Sequence, residues 1–93
     1  MYSRNNWNHI GFEKGKGLKK YNAVLEYKTN PKRKVRVSFG NRTFNHYYDK
    51  IGSFRYLNHN DSNRRRLYHL RHKDLPDDKT HWTPNWFSKN YLW

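Results

Sequence analysis

The sequence contains no cysteine, so it can build neither a disulfide framework nor a thiolate metal site. Acidic residues are scarce: 7 Asp+Glu stand against 20 Lys+Arg, a formal net charge of +13 on 93 residues. Hydrophobic residues make up 33% of the chain and the mean hydropathy is −1.41, below the usual apolar share of a globular domain. No apolar run approaches the ~20 residues of a membrane-spanning helix. The opening residues, Met-Tyr-Ser-Arg-Asn-Asn-Trp-Asn-His, lack a hydrophobic segment of signal-peptide type. His-Glu-x-x-His is missing, no carboxylates are paired for acid–base work, and Gly15-Lys16-Gly17 is too short for a phosphate-cradling loop. These absences predict a non-enzymatic chain with no cofactor, no metal and no small-molecule substrate. They also predict that it is neither secreted nor held in a membrane.

What the chain has is positive charge interleaved with rings: 8 Tyr, 5 Phe and 4 Trp make up 18% of it. Charge of one sign at this density repels itself in a compact fold and calls for a polyanionic partner. Each buried aromatic removes roughly 150–250 Å² from water, so a few can stand in for many aliphatics. The pattern predicts a small single α+β domain, in which a β-hairpin packs with an aromatic segment and one or two short helices. A flexible basic amino-terminal arm precedes it over residues 1–19, and the domain covers residues 20–93. The arm is assigned on Gly11, Gly15 and Gly17 lying among Lys14, Lys16, Lys19 and Lys20, since glycine disfavours regular structure.

Tyr21, Ala23, Leu25 and Tyr27 share one face at period two, with Asn22, Val24, Glu26 and Lys28 on the other, and Val35, Val37 and Phe39 alternate with Lys34, Arg36 and Ser38; both runs read as strands. Turn chemistry lies between them at Thr29-Asn30-Pro31-Lys32. Residues 41–57 match neither period; a short helix or irregular aromatic segment is expected near 43–50, closed by Gly52. Asp61 is a good N-cap for a helix over 61–73, with Leu67 and Leu70 turned to the core and Pro76 as its stop. Thr83-Pro84 begins a second helix reaching about Leu92, and Trp93 is expected to be docked.

Three constellations are candidate sites. Arg64, Arg65 and Arg66 come early in a helix, where the dipole disfavours cations, and Arg71 shares the face of Arg64 two turns on. With Lys73 they form a basic helix able to lie along phosphates; the alternative is a solvated face or one paired with an acidic protein partner. The outer hairpin face carries Lys28, Lys32, Arg33, Lys34 and Arg36, which reads as a nucleic-acid patch or a localisation signal. The lysines of the arm, Lys14, Lys16, Lys19 and Lys20, would add reach. Trp82, Trp86, Phe87, Tyr91 and Trp93 form either a stacking platform, a protein-interface anchor or plain core. Of six histidines, His69 and His72 are spaced to share a metal but lack the further ligands zinc requires. His59-Asn60 superficially resembles the His and Asn of small one-metal nucleases, but the hairpin lies far upstream and holds no His.

The blocks follow in a definite order. A basic strand ends in Ser38-Phe39-Gly40, then come Tyr48-Asp49-Lys50 and His59-Asn60-Asp61 with Arg64-Arg65, Tyr68 and Arg71-His72. Trp86-Phe87-Ser88-Lys89 and Tyr91-Leu92-Trp93 close the series. From Lys20 to Trp93 this resembles a family of small basic proteins, without an assigned activity, encoded by large double-stranded DNA viruses of algae and protists, with relatives in some phages. The resemblance implies a viral origin, a common small fold, and a place either with the packaged genome or in the capsid. The partners expected are nucleic acid, DNA favoured over RNA, and other virion proteins. The expected location is the virion or the host nucleus or cytoplasm.

Overall fold

The computed structural model describes residues 2–73 and 76–93. Three strands, β1 (Trp7–Lys14), β2 (Lys19–Tyr27) and β3 (Asn30–Asn41), form an antiparallel sheet in the order β1-β2-β3. Two helices follow, α1 (Ser62–His72) and α2 (Pro84–Tyr91). This is the small α+β domain expected, and the alternation in β2 and β3 sets its register. Tyr21 pairs with Phe39, Ala23 with Val37 and Leu25 with Val35, so their side chains share one face. Helix α2 covers that face: Phe87 is buried against Phe39, their rings stacked at 5.5 Å, and Leu92 is buried beside them. Thr83 caps α2 by accepting from the Trp86 amide at 3.0 Å, with Pro84 in the first turn.

The flexible arm is corrected. Residues 7–14 are a strand on β2, with Trp7 opposite Tyr27 and Lys14 opposite Tyr21. The register shifts between His9 and Gly11. Trp7 and His9 before the shift, and Phe12 after it, therefore all reach the core face, while Ile10 stays exposed. A bulge of this kind breaks the period-two pattern by which a strand is recognised. The glycines that suggested disorder build the connection instead. Gly17 sits at φ +59°, and a Cβ on Gly15 would meet the Lys19 carbonyl oxygen at 2.6 Å. Met1, also assigned to the arm, lies outside the described residues.

The hairpin turn is also shifted. It falls at Lys28-Thr29, and Asn30 already pairs with Tyr27. Pro31 is tolerated in β3 because β3 is an edge strand, where a missing N–H costs no ladder bond. Glu26 pairs with Lys34, so residues 31–33 bulge out of the ladder. Arg33 then lies over the rings of Trp7 and Tyr27, at 5.4 and 5.1 Å.

Helix α1 starts as expected, with the Asp61 carboxylate accepting from the Asn63 and Arg64 amides at 3.0 and 3.2 Å. Its seating differs. It has no buried residue, and Leu67 and Leu70 are 45% and 51% exposed; the core role expected of these leucines is overturned. The helix is held by a polar and aromatic stripe on its other side. Tyr68 stacks on Trp93 at 4.4 Å and 3°, and both Arg65 Nε and His69 Nε2 reach the Trp93 carbonyl oxygen, at 2.7 and 3.1 Å. At ~100° per residue, Arg65, Tyr68, His69 and His72 share one face and the leucines the opposite one. Trp93 is thus docked, on α1. No helix among the described residues is long and apolar enough to cross a membrane.

Candidate nucleic-acid interface

Residues 42–58 contain no α-helix, only a 3₁₀ turn at Arg55–Leu57, yet they are firmly tied to the sheet. Buried Lys20 supplies the first tie. Its ammonium donates to the Phe44 carbonyl oxygen and to His46 Nδ1, each at 2.8 Å. An ammonium has no acceptor to offer, so Nδ1 is the acceptor and Nε2 carries the proton, donating to Asn58 Oδ1 at 2.7 Å. Buried Asp49 supplies the second tie. It accepts from the Tyr21 hydroxyl and from the amides of Ile51, Gly52 and Phe54.

Burial pushes the Lys20 ammonium down to about 8, against the attraction of Asp49. Burial and the neighbouring Lys20 charge hold His46 below the usual histidine range. For Asp49 burial acts upward, but the Tyr21 hydroxyl and the backbone amides outweigh it and the net shift is downward. Lys20, expected to reach for phosphate, is therefore corrected to an internal anchor.

A pH dependence follows. Unfolded His46 takes up a proton near the ordinary histidine value of about 6.5, whereas folded His46 resists it, so stability falls as pH drops below that value. His9 and His59, both also lowered chiefly by burial, act in the same direction. Urea denaturation at pH 7.5 and at 5.0 should show a lower midpoint in acid, and His46→Gln should flatten part of the difference. Identical pH profiles for the two proteins would remove His46 from the cause.

The anchored segment forms one wall of a groove of about 620 Å³ whose other wall is α1. Phe44 and Asn45 line the first wall with Lys19 and the end of β3, and Arg64, Tyr68 and Arg71 line the second. Trp93 lies between them. Close packing fixes this corner: Gly40 has φ +75°, and a Cβ there would approach Leu92 Cδ1 and Lys20 Cβ to 3.1 Å. Among the described residues, no Asp or Glu carboxylate lies within ion-pair distance of Arg64, Arg65, Arg66 or Arg71; the side-chain ion pairs are Lys34–Glu26, Arg36–Glu13 and Lys89–Asp78. Arg65 is committed to Trp93 and Arg66 donates to Asn63 Oδ1 at 2.9 Å. Among the described residues, Arg64, Arg71 and Lys19 are thus the exposed groove cations without an Asp or Glu partner.

The remaining basic residues do not converge on it. Lys28, Lys32 and Arg33 sit at the hairpin end of the sheet, roughly 25 Å along β2 from Lys19 at the usual rise per residue. At physiological salt that exceeds the ~8 Å screening length several times over. Lys34 and Arg36 lie between the two ends but are matched by Glu26 and Glu13. Lys14 and Lys16 are exposed near the groove end, and Lys73 is exposed just past α1. Arg42, which the sequence reading passed over, clamps the β1–β2 connection. Its Nε and a terminal nitrogen donate to the carbonyl oxygens of Lys19 and Gly15, at 2.9 and 2.7 Å.

No protein-family model, no curated protein and no solved structure matches the chain.

The aromatic block divides. Phe87 is fully buried and Tyr91 packs against the core, so neither is the stacking surface considered for it. Trp82 and Trp86 enclose Arg4, whose guanidinium lies 4.2 and 4.5 Å from their ring centres. Arg4 also donates to the Asp78 carbonyl oxygen at 2.6 Å, and the buried Asp78 carboxylate accepts from Thr83, Asn85 and Lys89. Of the five, only Trp93 reaches the groove.

The histidines also disperse. His9 packs on Phe12 and Phe87, at 4.6 and 5.0 Å, and His72 lies 4.3 Å from the Tyr68 ring. His59 Nδ1 accepts from the Asp61 amide at 2.9 Å. Among the described residues no cluster of three or more His, Asp or Glu side chains could hold a metal ion.

Proposed function

We propose that this domain binds nucleic acid with little sequence specificity, and without catalysis, through the groove between α1 and residues 41–45. The observation that carries the proposal is the pair Arg64 and Arg71, which line the groove with no Asp or Glu partner among the described residues, with Lys19 across from them. Guanidinium groups in this state are available to neutralise phosphates, and phosphate contacts dominate non-specific affinity. Phosphate contacts by themselves carry no sequence information, which favours sequence-tolerant binding. The resemblance of the blocks from Lys20 to Trp93 to a family of viral basic proteins supports a place in a virion or an infected cell.

A second reading is a minor capsid protein that binds acidic surfaces of its neighbours. One observation favours it: exposed Leu67 and Leu70 line an apolar hollow of about 450 Å³ together with Trp93, between Arg64 and Arg71. Competition separates the two readings. A fluorescent oligonucleotide held by the protein should be displaced at least tenfold more effectively by unlabelled oligonucleotide than by polyglutamate of equal total charge. Equal displacement would transfer the proposal to acidic protein surfaces.

A further inference from the structure

Phe44 is 67% exposed and lines the groove. Its backbone is nonetheless fixed on both sides: its amide donates to the Asn41 carbonyl at 3.1 Å, and its carbonyl accepts from the buried Lys20 ammonium at 2.8 Å. Among the described residues no aromatic ring and no cation packs on the Phe44 ring, whereas the other two large rings lining the groove, Tyr68 and Trp93, are stacked on each other, with His59 beside Trp93. Among the described residues, the groove therefore offers one free aromatic face, held on a fixed backbone and set among cations without an Asp or Glu partner.

We infer that the groove is a single-strand site, in which an unpaired base stacks on Phe44 while the flanking phosphates lie on Arg64, Arg71 and Lys19. This rests on the nucleic-acid reading above and specifies the kind of strand. A free ring among cations suits a single strand, because every base has a face to stack and the charges follow the backbone. In a duplex the base faces are covered by their neighbours, so a stacking ring adds nothing and only the phosphates are engaged. Lys20 acts in this site as a positioning residue, holding the Phe44 carbonyl from beneath.

The test compares three labelled probes of equal total charge with the wild-type chain: a single-stranded oligothymidine, a strand of abasic sites of the same length, and a duplex of half that length. The single strand should bind about 5–100-fold more tightly than the abasic strand, the range that one stacked base contributes, and more tightly than the duplex per phosphate. Phe44→Ala should lower the single-strand affinity to that of the abasic strand; an exposed ring can be removed without unfolding the domain, which the thermal midpoint checks. Phe44→Trp should keep or raise the preference. If all three probes bind equally and Phe44→Ala changes none of them, the stacking inference fails while the phosphate reading stands. If none binds near physiological salt, both fail.

Discussion

Replacing Arg64 and Arg71 together with alanine should lower the affinity for a labelled oligonucleotide by about 10–100-fold, a loss of about 0.7–1.4 kcal/mol for each phosphate contact. The logarithmic salt slope should shrink by about two, one for each phosphate no longer neutralised. Both side chains are exposed, and neither is ion-paired among the described residues. The thermal midpoint should therefore stay put, and the loss should be equal for every sequence tested. Lys28→Ala with Lys32→Ala is the matching control. It removes the same charge from the far end of the sheet and should change affinity by less than about threefold, given screening over that distance. Equal losses from the two double variants would mean that net charge alone drives binding and that the groove has no special part. An unchanged affinity in the Arg64/Arg71 variant would take α1 out of the interface.

The largest effect on stability is expected at Asp49. Its carboxylate is fully buried and takes hydrogen bonds from the Tyr21 hydroxyl and three backbone amides. Asp49→Ala leaves those donors without an acceptor, at about 1–3 kcal/mol for each group left unsatisfied. Such losses overlap, so the expected total is about 3–5 kcal/mol, a large part of what a small domain has. The thermal midpoint should drop by about 15–30 °C. Tyr21→Phe removes one donor to Asp49 and the acceptor for the Ser53 amide, and should cost about 1–3 kcal/mol. If Asp49→Ala cost less than 1 kcal/mol, residues 42–58 would have to be held by Phe54 and its ring contacts instead. Asp49 is also held below the ordinary carboxylate range. Its contribution is thus present above the unfolded carboxylate value and lost as pH falls through the folded one, on the acid side of the His46 effect.

What could be read from the sequence and what could not follows from the range of the interactions. The β2–β3 hairpin was legible because its alternation is local and regular over residues 34–39 and, apart from Val24, over 21–27, and Asp61 and Thr83-Pro84 marked two helix starts because capping is local too. Strand β1 was hidden by a bulge at His9–Gly11 and by glycines that signal flexibility and tight turns alike. The order of residues 42–58 depends on Lys20 and Asp49, two charged residues that solvation rules place outside. Only the pairing of Lys20 with the Phe44 carbonyl and His46, and of Asp49 with Tyr21, explains their burial. The leucines of α1 were misplaced because apolar spacing says which residues share a face, and not that the domain lies on that side.

The candidate site was legible in part. The two-turn spacing of Arg64 and Arg71 placed them together, and they do line one groove. Their partner across it, Lys19, belongs to the segment read as an arm, and the exposed ring of Phe44 carries no sequence mark that separates it from core aromatics. Conversely, the densest basic run, Lys32 to Arg36, lies away from the groove or against Glu26 and Glu13. Charge density along the chain identified a class of partner. It did not identify the surface.

The salt dependence of wild-type binding tests the central claim most directly. A labelled oligonucleotide is titrated by fluorescence anisotropy from about 50 to 300 mM salt, the range over which counterion release changes affinity steeply. The account predicts binding that persists near physiological salt and a linear logarithmic plot with a slope of about −2 to −3, three phosphates having been neutralised by Arg64, Arg71 and Lys19. Binding seen only at the lowest salt, or a slope near zero, would contradict it.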